Sequence, residues 1–304
     1  MAVRVLITGG SGLLALNWAL AIRGDHAVTL GLHERRVSLS GVQTQQVDLE
    51  SVDHLVRTFE DAQVGMVVHT AGFTNVEECE AKSDLARHIN VDLAVNVAQA
   101  CARLNLPLVH VSTDHLFSGK EPMATETSPV APINVYGRTK ADAELQVLGA
   151  HPQALVMRTN FYGWGTSYRR SFSDVVIQGL RSGKELTLFK DVFYTPILID
   201  AAARAVHELV NLKASGIFHM VGDERISKYE FGLKIAKEFK LDAVLIKSGL
   251  LADQLSLIQR PHDMSLSNQK ISALLGRKLG GTLEHIAVLH QQEQNGLARE
   301  IQIL

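Results

Sequence analysis

Cysteine is scarce: Cys79 and Cys101 are the only two in 304 residues, both in helix-like segments and without CxxC spacing. That excludes a disulfide framework and points to reduced thiols. Aromatic residues make up 6% of the chain and do not interleave with basic ones, so no base-stacking platform is expected. Lys+Arg (30) nearly balance Asp+Glu (32), for a net charge of −2. This removes the electrostatic footprint of a nucleic-acid binder and leaves no acidic tail. No apolar run approaches membrane-spanning length, and "MAVRVLITGG" is too short for a signal peptide's apolar core and cleavage site. The thirteen histidines are scattered, with no H-E-x-x-H spacing, so no metal site is expected. The expectation from these absences is a cytoplasmic protein without membrane or nucleic-acid partners.

What the chain does have is alternation. "VRVLITG", "HAVTLGL", "QTQQ", "VGMVVHTAG" and "LPLVHVSTD" read as strands, most of them near-continuous apolar runs. Between them lie helical stretches: "GLLALNWALAIRGD" ending at Gly24, "VDHLVRTFEDAQ", and one long helix "DLARHINVDLAVNVAQACARLN". Strand–helix alternation implies right-handed crossovers and a parallel sheet. The predicted fold is α/β, a doubly wound parallel sheet over residues 1–160 with a smaller, mostly helical lobe over 161–304. Parts of 186–222 are expected to return to the sheet. In the lobe, "YRRSFSDVVIQGLRSGKE", "SKYEFGLKIAKEFK" and "NQKISALLG" read as helices.

"LITGGSGLLA" places Gly9, Gly12 and Ala15 where the first strand closes and the first helix opens, with Leu13 and Leu14 in its first turn. Glycine permits the tight turn and close backbone approach to a pyrophosphate, and the helix N-terminus offers unpaired N–H donors. In this context the turn predicts dinucleotide binding. An NAD site usually carries a carboxylate at the end of the second strand. Here Gly31 stands in that place, followed by His33, Glu34, Arg35 and Arg36. Arginine suits a 2′-phosphate, so NADP(H) is favoured, with NAD(H) as the alternative if Glu34 takes the acid's role. Asp48 and Leu49, ending the next strand, are placed near the adenine, although Asp48 reads equally as a helix N-cap. Thr70, Ala71 and Gly72 would floor the cofactor channel.

"VYGRTK" sets Tyr136 and Lys140 on one helix face, a pairing that is weak evidence by itself. A free phenol with a pKa near 10 is a poor proton shuttle, and a neighbouring ammonium is expected to lower it toward a useful range. Thr113 closes the strand "LPLVHVSTD" at the sheet's carboxyl edge, where ligands of such folds bind. Hydride donor, proton donor and carbonyl anchor would converge there.

Taken in order, "TGGSGLLA", "HTAGFTNVEECE", "HINVDLAVNVA", "VSTDHLFSG", Glu126, "PINVYGRTKADAE", "VMRTNFYG", "GIFHMVGDERISKYEFGLKIA" and "RPHDMSLSNQKI" span nearly the whole chain. In these stretches the sequence resembles the extended short-chain dehydrogenase/reductase superfamily, most closely the dTDP-4-dehydrorhamnose reductase branch of sugar-nucleotide 4-ketoreductases. The resemblance implies a catalytic set of Thr113, Tyr136 and Lys140, with Tyr136 protonating the substrate oxygen and Lys140 also holding the nicotinamide ribose. It implies that Asn90 helps position the active-site strand beside the cofactor, that Asp114 contacts the sugar, and that Arg158 through Asn160 line the cleft. Arg260 would meet the nucleotide diphosphate, for which a forked guanidinium is apt. The implied substrate is a nucleotide sugar, and a homodimer is one allowed assembly.

Two departures fall on the substrate side. His115 stands where such reductases usually place tyrosine, and "KDVFYTPILID" lacks a glycine of the family's corresponding stretch. Both put the particular sugar in doubt and leave the reaction type alone. Two other readings share the motifs: a sugar-nucleotide epimerase with tightly bound NAD, and a non-catalytic NADP-binding subunit of the kind that regulates methionine adenosyltransferase.

Overall fold

The computed structural model describes residues 3–254 and 258–304. Strand β1 (Arg4–Thr8) runs through a turn into helix α1 (Leu13–Ile22). All ten residues of α1 are buried, as expected of a helix that is apolar all round. After β2 (Ala27–Leu32) and the polar edge strand β3 (Gln43–Gln46), helix α2 (Val52–Asp61) begins at Ser51, whose hydroxyl accepts from the His54 amide. Strand β4 (Met66–His69) leads to α3 (Val76–Ala81), α4 (Ser83–Arg87) and α5 (Leu93–Leu104). The single long helix expected here is interrupted at His88–Asp92 by one wide π-type turn. Such turns often mark functional sites, and this one holds Asn90.

Strand β5 (Leu108–Val111), helix α6 (Val135–Ala150) and strand β6 (Leu155–Thr159) complete the first half. The second half carries β7 (Phe161–Tyr162), α7 (Phe172–Arg181), β8 (Leu186–Phe189), β9 (Phe193–Tyr194), β10 (Ile197–Leu198) and α8 (Ile199–Asn211). It continues with β11 (Gly216–Met220), β12 (Ile226–Ser227), α9 (Lys228–Glu238) and β13 (Ile246–Gly249). Helices α10 (Gln269–Leu275), α11 (Thr282–Gln294) and α12 (Leu297–Gln302) close it.

Seven strands form one sheet in the order β11-β6-β5-β4-β1-β2-β3, with every pair parallel. This is the doubly wound arrangement, whose strand order reverses at β1 and opens a crevice at the carboxyl ends. Residues 216–220 return to the sheet, whereas β8 pairs with β13 inside the lobe. Alternate residues of β1 feed opposite faces. Val5 and Ile7 join a large cluster with α1, α8 and the lobe, and Leu6 joins a smaller one with Leu55, Phe59, Val97 and Cys101. The first cluster runs on into Phe231, Ile286 and Leu289, so lobe and sheet share one apolar interior. Cys79 and Cys101 are free and buried, and burial pushes the Cys79 thiol up to about 11 and Cys101 higher still. Among the described residues no helix is long and apolar enough to cross a membrane, and no cluster of three metal-ligating side chains occurs.

Candidate functional site

A cleft of about 870 Å³ opens along the carboxyl ends of β1, β2, β4 and β5, lined by Gly9, Gly12, Leu13, Leu14, Thr70, Ala71, Gly72, Tyr136 and Lys140 among others. Gly9 sits at φ +66, and a Cβ there would lie 2.7 Å from the Ala71 amide nitrogen. The chain can make this approach only with glycine. Gly12 then gives its amide to the Gly9 carbonyl at 2.8 Å, closing the turn. His33, Arg35, Asp48 and Leu49 line the same cleft. Asp48 is not a helix cap, since Ser51 is. Its carboxylate accepts from the Glu50 amide at 2.9 Å in a local turn.

Two cofactor-side expectations change. Arg36 stands exposed outside the cleft wall. Asn90 is buried, and its side chain is fully used inside the protein. It accepts from the Phe73 amide (2.7 Å) and donates to the Phe73 carbonyl and the Thr139 hydroxyl (both 3.0 Å). Asn90 thus ties the Gly72–Phe73 loop to α6 instead of lining the cleft.

Helix α6 begins at Asn134, whose side chain accepts from the Gly137 amide at 2.8 Å. A Cβ at Gly137 would come within 2.4 Å of the His115 carbonyl oxygen. The glycine inside "VYGRTK" therefore lets the helix start press on the Thr113–His115 loop. That contact sets the Tyr136 ring edge-on to His115, with centroids 5.6 Å apart. Burial pushes the Tyr136 phenol up to about 12; the nearby Thr113 hydroxyl pulls the other way, and Asp114 adds to the rise. The expectation of an acidified phenol is thus reversed. Lys140 points elsewhere: its Nζ donates to the Val111 carbonyl at 2.7 Å and lies 3.4 Å from His110 Nε2. Burial lowers Lys140 to about 8, opposed by Glu144.

Beyond Tyr136 the site becomes crowded with buried charge. Asp114 accepts from Thr113 (3.2 Å) and from the Asn160 amide. His115 is held below its ordinary value by burial, so it stays neutral. The Lys228 ammonium lies 3.4 Å from the Tyr194 ring centroid and 4.7 Å from that of Phe172, and burial lowers it to about 8, opposed by Asp114. Arg260 bonds Glu77 at 2.5 Å, while its Nε is buried and unpartnered among the described residues. Arg158 does not belong to this group. It is buried behind β6, holding Glu144 at 2.7 Å and meeting His219 at 3.4 Å, because its strand position faces the core.

The sequence reading missed the loop before α7. "YRRSFSDVV" was expected to be helical throughout, but α7 starts only at Phe172, with Ser171 and Asp174 forming a reciprocal cap. The freed residues Tyr168, Arg169 and Arg170 line the cleft. Tyr168 donates to the Ser11 carbonyl at 2.6 Å, and Arg35 stacks over its ring at 3.8 Å. The S-x-x-D spacing was the available signal for that boundary. Lys228, at the start of α9, gave no signal because only the fold brings it to Asp114.

The family described as "RmlD substrate binding domain" matches residues 3–293. The probable low-salt glycan biosynthesis reductase Agl14 of Haloferax volcanii is 29% identical over 89% of this chain and 91% of its own length. Methionine adenosyltransferase 2 subunit beta of Mus musculus is 29% identical over 89% of this chain and 82% of its own. Among solved structures, dTDP-4-dehydrorhamnose reductase from Bacillus anthracis, in complex with NADP, superposes with a TM-score of 0.84 at 22% identity. It covers 96% of this chain and 100% of that one.

Proposed function

We propose, from the premise that this chain belongs to the RmlD substrate binding domain family, that it is an NADPH-dependent reductase of a 4-keto group on a nucleotide-activated deoxysugar. The observation that carries the reading is the meeting of the glycine-built cleft with Tyr136 and Lys140 on one wall. The cradle fits a dinucleotide: the Gly9 turn admits close backbone approach, and Arg35, Arg169 and Arg170 supply positive charge at the rim. NADP in the Bacillus anthracis relative agrees with Gly31 in place of the acid that would favour NAD and with the arginine that follows on the cleft wall.

When bound, a reduced nicotinamide supplies the hydride. The chain's own residues do the rest. Tyr136, held protonated across the physiological range, donates its proton to the developing alkoxide. Thr113 would offer its hydroxyl to the substrate oxygen, and Lys140 presents an ammonium to the cleft. Asp114 with Asn160, and Lys228 opposite, form the sugar side, and Arg260 stands ready for the diphosphate.

The test is a panel of nucleotide-activated 4-keto sugars assayed by loss of nicotinamide absorbance with NADPH and with NADH. Consumption of NADPH with at least one member supports the reading, and consumption with none removes it. Cofactor that co-purifies without net consumption points to epimerisation instead. The relation to methionine adenosyltransferase 2 subunit beta favours a second reading, an NADP-binding regulatory subunit. Tight NADPH binding without turnover of any sugar would select it.

A further inference from the structure

A row of polar side chains lies in the sheet behind the cleft. Thr8, His69 and His110 occupy neighbouring register positions on β1, β4 and β5. Each is 1% exposed. Thr8 Oγ1 and His69 Nδ1 are 2.8 Å apart, and the two imidazoles lie nearly parallel with centroids 5.5 Å apart. Strand interiors of this kind are ordinarily apolar, and a buried imidazole is costly unless something uses it. Burial keeps both rings neutral, His69 at about 3 and His110 well below its ordinary value.

A neutral imidazole has one acceptor nitrogen, and His110 turns its Nε2 toward the Lys140 ammonium at 3.4 Å. An ammonium carries three N–H donors and no lone pair. The Val111 carbonyl takes one at 2.7 Å, and His110 Nε2 takes a second in the tautomer that carries its proton on Nδ1, an atom buried without a partner among the described residues. The other groups around Lys140 do not compete. Tyr136 and Glu144 share its helix, but Glu144 is bound to Arg158 on β6, and His69 lies beyond His110. One N–H therefore remains for the cleft, which Lys140 lines.

We propose that His110 is a positioning residue for Lys140: its Nε2 lone pair anchors the ammonium against β5 and reserves one N–H for a ligand in the cleft. The inference rests on the reductase reading only for the identity of that ligand. His110 transfers no proton. It is the acceptor that lets a lysine keep its charge at a site where no carboxylate is free to pair with it.

The test uses the full chain labelled with 13Cε-lysine and 15N-histidine, with Lys140→Arg to assign the lysine signal. In the unaltered protein, His110 should be neutral and protonated on Nδ1, and its Nε2 shift should move as Lys140 loses its proton near pH 8. An Nε2–H tautomer overturns the proposal. His110→Leu keeps the bulk but removes the lone pair, and should lower the Lys140 midpoint by about one unit, a tenfold loss of proton affinity. His110→Gln, which restores an acceptor, should recover most of that shift. An unchanged midpoint in both variants overturns the proposal, and if His110→Leu does not fold, the tautomer in the unaltered protein decides. Neither readout needs turnover, so a silent sugar panel would sink the reductase reading and leave this one intact, and the reverse also holds.

Discussion

The cleft and the cluster of buried charge beyond Tyr136 are built by opposite means. The dinucleotide end is shaped by main chain: Gly9 at φ +66 and Ala71 come so close that no side chain fits between them, and the charged residues there sit at the rim. The region beyond Tyr136, outside the cleft's lining and where the sugar is proposed to sit, is shaped by side chains that bring charge into the interior. Asp114 is 2% exposed, Lys228 lies between aromatic rings, and His115 Nδ1, Tyr194 Oη and Arg260 Nε are buried without partners among the described residues. A backbone cradle suits a ligand that is the same in every turnover. Unpaired buried donors suit discrimination, because a wrong ligand leaves them unsatisfied.

The strongest way to break this contrast is at the boundary. Tyr136→Phe should lower kcat by about 10²–10⁴-fold while the NADPH dissociation constant, read by fluorescence titration, stays within a factor of about two. Loss of cofactor binding in that variant would mean the phenol belongs to the dinucleotide end. Gly9→Val attacks the cradle itself. A branched residue in the left-handed region costs on the order of 1–3 kcal/mol before its contact with Ala71 is counted. NADPH affinity should fall at least about tenfold in the same titration. On the other side, Lys228→Met should raise KM for the sugar nucleotide about tenfold and leave NADPH affinity unchanged. Arg35→Ala should reduce the preference for NADPH over NADH by roughly tenfold, the scale of one charge-assisted hydrogen bond.

The smallest effect joins the two ends, since burial lowers both Lys140 and Lys228 to about 8. Each is held below its unfolded value near 10.5, so the unfolded chain binds more protons between those limits. Stability should therefore rise with pH from about 8 toward 10.5 as far as these groups are concerned, while turnover falls above pH 8 as Lys140 loses its charge. Lys140→Met should raise Tm by a few degrees at pH 7 and flatten the rise, which a series of thermal melts would record.

The same contrast governs what could be read from the chain before folding. The dinucleotide end is local in sequence. A β-branched run, a glycine turn and an apolar helix fall within Arg4–Ile22, and the residues that make the turn are consecutive. Tyr136 and Lys140 were legible for the same reason, one helix turn apart. The proposed sugar side draws on residues 113–115, 160, 194, 228 and 260, which only the crossovers bring together, so Lys228 carried no visible sign. Where local reading failed, a neighbouring interaction had outweighed it. The long helix was widened by the turn holding Asn90 without being broken, and Arg158 was claimed by Glu144. The acidified tyrosine failed because burial outweighs any help from the lysine, whose ammonium is turned to the Val111 carbonyl and His110.

The two interior sulfurs have a practical consequence. Cys79 gives its S–H to the Phe73 carbonyl and Cys101 is sealed in the smaller core, so neither offers a reactive thiolate at neutral pH. A single new cysteine at Leu145, 73% exposed on the outer face of the helix that carries Tyr136, would be the one maleimide target in an otherwise unaltered chain. A dye placed there could follow ligand entry into the cleft without stripping the native residues first.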